Sequence, residues 1–162
     1  MKLNKKEGIR LASYALTFVL TLVAFILFVA PFVQGKLFNT TISGYDLAFN
    51  FDSGKNGALF VGWLLSLLLL LGSVCLLANF LLAKLGVLKL NLPKVGKTGV
   101  LVCAGVELAL FVVAAILIFV TVPAFGIGDA YNLGGGAITA GILLILAGLL
   151  SGCELCYSTL AK

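Results

Sequence analysis

The 28 residues 56–83, NGALFVGWLLSLLLLLGSVCLLANFLLA, run from Lys55 to Lys84 without one charged side chain. A helix crosses ~30 Å of hydrocarbon in about 20 residues, so this stretch spans a bilayer with length to spare. The same pattern repeats on both sides of it. The interval from Arg10 to Lys36 encloses 25 uncharged residues and that from Asp129 to Glu154 encloses 24, while the 31 residues between Lys97 and Asp129 hold one charge, Glu107. Four transmembrane helices are expected, near 10–33, 58–83, 99–122 and 137–158.

Composition agrees. The chain of 162 residues is 62% hydrophobic and 10% charged, against about 25% charged in a soluble domain, which excludes soluble, collagen-like, coiled-coil and disordered classes. The expected fold is an all-α membrane protein, a single four-span domain over 1–162. Pro31 and Pro123 fall at span ends, where a missing amide hydrogen breaks no full turn.

Lys2, Lys5, Lys6, Arg10, Lys84, Lys89, Lys94, Lys97 and Lys162 flank one side of the spans, and only Lys36 and Lys55 flank the other. By the excess of basic residues on the inner side, both termini and the basic loop 84–98 face the cytoplasm, in the plasma membrane. Topology and anionic lipid then account for the net charge of +5, with no nucleic-acid partner.

The outer loop 34–57 carries an alternation in which Tyr45, Leu47, Phe49 and Phe51 interleave with Asp46, Ala48, Asn50 and Asp52. Period two predicts a strand with one apolar face, paired with 37–42 in a β-hairpin through a turn at Ser43–Gly44. The layout resembles that of claudin and peripheral-myelin-type tetraspans in topology alone, since the Gly-Leu-Trp and paired cysteines of their first loop have no counterpart here. The second outer loop, 125–136, is glycine-rich, has no Lys or Arg to neutralise a phosphate, and reads as a flexible entry to the fourth span.

Helices associate in lipid through small residues that let backbones approach. Gly141, Gly148 and Gly152 share a face of the fourth span, and Gly105 with Ala109 makes a weaker small face on the third. Glu107 lies about nine residues, ~14 Å, inside its span, where an ionisable group is expensive. Cys103 precedes it by one turn. Tyr14 and Thr17, Asn79 and Cys75, and Ser151 and Glu154 bring further polar groups to similar depth, all in the half nearer the basic loops.

The simplest role for Glu107 is a neutral acid hydrogen-bonded to Asn79, Tyr14 or a carbonyl. Its functional role is a titrating site in an oligomeric channel or a proton- or cation-coupled transporter. Cys153 and Cys156 form a CxxC, but membrane thiol oxidoreductases of four spans use cysteines at the outer face, so apolar packing is the expectation here. With no histidine and no paired carboxylates, no catalytic residues, metal site or cofactor are expected. The expected role is association, with itself or with another membrane protein, through the glycine face and the outer hairpin.

Overall fold

The structure, a computed structural model, describes residues 4–36, 40–49, 57–86, 97–124 and 131–160. Helices α1 (Lys5–Ile26), α3 (Gly57–Leu85), α4 (Lys97–Phe119) and α6 (Gly135–Leu160) are long and apolar enough to cross a membrane, and they make this a multi-pass membrane protein. Short helices α2 (Gly44–Phe49) and α5 (Thr121–Ala124) and strands β1 (Pro31–Gly35), β2 (Thr41–Ser43) and β3 (Tyr131–Leu133) lie at one end. Around the bundle, α1 packs on α3 and α6, and α4 packs on α3 and α6. Sequence neighbours therefore run antiparallel, with a sheet end and a basic end.

The first span ends before 33. Pro31 disfavours helical backbone in the residue before it, and Ala30 is extended at φ −75° and ψ 164°. A 3-10 turn over Leu27–Val29 closes the helix, and Pro31 starts β1, where its missing N–H breaks no established ladder.

Strand β1 is the centre of a three-stranded antiparallel sheet of order β2-β1-β3. Val33 pairs with Ile42 on one side and Leu133 on the other, so the sheet ties the first outer segment to the second. A hairpin is thus present, but its strands are 31–35 and 41–43. The expected strand through Tyr45, Leu47 and Phe49 is instead the helix α2, and Phe51 lies outside the described residues. Ser43 explains the change: its hydroxyl accepts from the Asp46 N–H at 3.0 Å and donates to Asp46 Oδ2 at 2.6 Å, a local cap that starts a helix. Leu47 and Ala48 are then buried, while Tyr45 and Phe49 stack one turn apart with ring centroids 4.6 Å apart. Phe49 also meets Trp63 of α3 edge-on at 4.9 Å.

Of the loop 125–136 expected to be flexible, residues 125–130 lie outside the described residues, and Gly134 and Gly136 at the start of α6 have a packing role instead. A Cβ at Gly134 would stand 2.5 Å from the Pro31 carbonyl oxygen, and one at Gly136 would stand 2.9 Å from Ala30 Cβ. The Gly134 N–H donates to the Phe32 carbonyl at 2.7 Å, so the start of α6 lies directly on the β1 backbone.

Inside the sheet-end half, Ala24, Phe28, Phe111, Ile118 and Leu144 are 0–1% exposed and fill the space between the four helices. The outward faces carry exposed Leu16, Val19, Leu68, Val113, Ile116 and Leu146, an apolar girdle suited to lipid.

Candidate intramembrane polar site and packing grooves

Arg10, Tyr14, Thr17 and Thr21 recur at spacings of four, three and four along α1, so they share the face on which Ala24 and Phe28 continue upward. That face makes the basic-end half of the bundle polar. Thr21 Oγ1 donates back to the Thr17 carbonyl at 2.7 Å and meets Ser73 Oγ of α3 at 3.2 Å. The second contact is an interhelical hydroxyl bridge, a type worth about 0.6 kcal/mol in bilayers.

Glu107 accepts a hydrogen bond from Ser151 Oγ of α6 at 2.7 Å. The partner expected from sequence was Asn79, Tyr14 or a carbonyl. Ser151 takes the place because α4 and α6 are closely packed and Ser151 is buried on the facing side of α6. Asn79 shares a cavity with Glu107: the two line a space of about 440 Å³ between α3 and α4, together with Ser73, Gly72, Cys75 and Leu76.

Glu154 lies one turn beyond Ser151 with its side chain 1% exposed, and Arg10 Nε stands 3.1 Å from its Oε1. Neither carboxylate oxygen has an aligned hydrogen bond, so the contact is an ion pair joining α6 to α1. Tyr14 faces the same carboxylate electrostatically and packs its ring edge-on against Phe80 of α3, 6.0 Å between centroids. At the basic end, Lys84 of α3 pairs with Glu7 of α1. Cys103, although one turn from Glu107, is exposed on the outside of α4 and does not join the cluster.

The glycine face divides in two. A Cβ at Gly141 would collide with the Phe119 ring, and one at Gly148 would stand 2.7 Å from Phe111 Cβ, so both glycines serve the α4–α6 contact. Gly152 and Gly105 have nothing within 4 Å of the corresponding position. They line an apolar groove of about 340 Å³ between the same helices, with Ala104, Leu108, Leu149, Cys153 and Cys156. Ala109 is exposed beyond it. The four cysteines are free thiols, so the CxxC lines a groove wall. Among the described residues, no three His, Cys, Asp or Glu side chains group as a metal site.

Arg10, Thr21 and Ser73 belong to this site and escape a reading by depth alone. The signal that finds two of them is the helical spacing of Arg10 and Thr21 with Tyr14 and Thr17. Comparison of the chain with known protein families, curated proteins and solved structures finds no match.

Proposed function

We propose that this protein works by associating within the plasma membrane through the groove between α4 and α6, with a second copy of itself as the partner and both termini in the cytoplasm. The observation that carries this reading is the split glycine face. Gly141 and Gly148 are filled from within the bundle, whereas Gly105 and Gly152 stand open beside Leu149 and Leu108, a small-residue surface of the kind that admits another helix closely. Packing of a two-fold related copy on that surface places the same groove on both sides of the contact.

Cys153 lines the groove and Cys75 lies on α3, so natural thiols serve as reporters. A photo-cross-linker on Cys153, the other three cysteines replaced by alanine, is expected to give one discrete adduct of twice the chain mass in native membranes. The same probe on Cys75 is expected to give none. An adduct of another mass transfers the groove to a different membrane protein, and no adduct at Cys153 removes it from the function.

The second reading, a proton- or cation-coupled transporter with Glu107 as the titrating site, is favoured by the placement of that carboxyl on a cavity wall. Against it stands the sheet-end half, where Phe28, Phe111, Ile118 and Leu144 occupy the centre of the bundle. Solute flux into liposomes that the Glu107→Gln change abolishes would establish the second reading in place of the first.

A further inference from the structure

Helices α3 and α4 meet near the sheet end and part toward the basic end. A Cβ at Gly62 would stand 3.2 Å from Leu117 Cβ, whereas one at Gly72 would meet nothing within 4 Å. Ten residues on from the Gly62–Leu117 contact, about 15 Å at ~1.5 Å per residue, α3 brings Gly72 and antiparallel α4 brings Glu107 to the same level. With no side chain at Gly72 to fill the gap, a cleft of about 440 Å³ stays open there. Leu68, Cys75 and Leu76 on its walls are exposed at the outer surface of the bundle, so the cleft opens sideways.

Among the described residues the cleft walls carry a single charged group, Glu107. Ser73 commits its hydroxyl to the Leu70 carbonyl at 2.8 Å and to Thr21 at 3.2 Å. Asn79 stands seven residues, about 10 Å, from Gly72 toward the basic end. Glu107 is half-buried, and Ser151 Oγ orients it from the α6 side by donating to its Oε1 at 2.7 Å. Arg10 pairs with Glu154 and Lys84 with Glu7, so among the described residues Glu107 has no cationic partner. An ionised carboxylate at membrane depth is expensive until its charge is offset.

We infer that this cleft binds a monovalent organic cation with an apolar body, entering sideways from the lipid, and that the Glu107 carboxylate is its counter-ion. Mostly apolar walls with one oriented polar group are the usual form of a small-molecule site, and the volume falls in that range. Hard metal cations gather about six oxygens, and one carboxyl does not supply them. No Lys or Arg lines the cleft among the described residues, so a zwitterionic phospholipid headgroup would leave its phosphate unpaired. The site does not rest on association through the α4–α6 groove and can stand if that reading fails.

Purified full-length protein in phosphatidylcholine nanodiscs tests it, with radiolabelled dodecyltrimethylammonium below its micellar concentration as the cation and dodecanol as a neutral probe of the same chain length. The expected result is saturable binding of one cation per chain above empty nanodiscs, with no saturable binding of dodecanol. Glu107→Gln is expected to reduce cation binding to that of empty nanodiscs while helical circular dichroism is retained. Gly72→Leu, which fills the cleft and leaves the carboxyl in place, is expected to do the same and keeps the test decisive if the Glu107 variant does not fold. Equal uptake of cation and dodecanol, no saturable uptake of either, or cation binding that survives both substitutions would overturn the site. Binding lost instead in the Gly105→Leu/Gly152→Leu variant would place the ligand in the α4–α6 groove and overturn it equally.

Discussion

Arg10 and Glu154 show how much one residue can decide in this bundle. The Glu154 side chain is 1% exposed and the Arg10 side chain 42%, so the arginine stands at the rim and the carboxylate within. Removing the partner of a fully buried charge costs about 3–5 kcal/mol, and solvent at the half-exposed Arg10 brings the cost here below that range, whereas replacing both with apolar groups is often neutral. Arg10→Met is therefore expected to lower the melting temperature of the detergent-solubilised protein strongly, and the Arg10→Met/Glu154→Leu double variant is expected to recover most of the loss. If both variants lose the same stability, the pair is not what joins α1 to α6. Gly148 acts at the same scale through volume. Phe111 is 1% exposed and cannot move aside from an added Cβ, so Gly148→Ala is expected to destabilise by about 1–3 kcal/mol in a thermal melt, while Gly152→Ala, facing open space, is expected to leave stability unchanged.

Among elements, α2 departs furthest from the sequence reading. Apolar and polar residues alternate from Tyr45 to Asp52 as they do in a strand, yet Ser43 and Asp46 stand at the spacing of a helix cap, and the local hydrogen bonds prevail over the period. Ser43→Ala is expected to cost about 1 kcal/mol and to speed amide exchange over Gly44–Phe49, which hydrogen-exchange mass spectrometry resolves. The four long helices were legible because charges stop abruptly at the span ends. Strand β3 was not, because the three residues Tyr131–Leu133 are too few to show a period and take their conformation from pairing with β1. The depth of Glu107 was likewise legible from its distance along α4. Its partner Ser151 was not, because spacing on one helix carries no information about the rotation of the next.

Across the whole molecule, polarity divides the bundle into a polar half at the basic end and a mainly apolar half beneath the sheet. Thr17, Thr21, Ser73, Glu107, Ser151 and Glu154 lie toward the first, and phenylalanine, leucine, isoleucine and alanine dominate the second, where the buried hydroxyls of Ser66 and Thr121 donate to carbonyls one turn earlier at 2.8 and 2.6 Å. An aqueous path needs polar groups along its full length, so one copy alone is expected to pass no ions in a liposome flux assay.

The particle mass of the purified protein, by light scattering corrected for detergent, tests association most directly. Wild type is expected at twice the chain mass of 16.9 kDa, and the Gly105→Leu/Gly152→Leu variant at the mass of one folded chain. A single-chain mass for wild type, or a doubled mass that survives both substitutions, would contradict association through the α4–α6 groove.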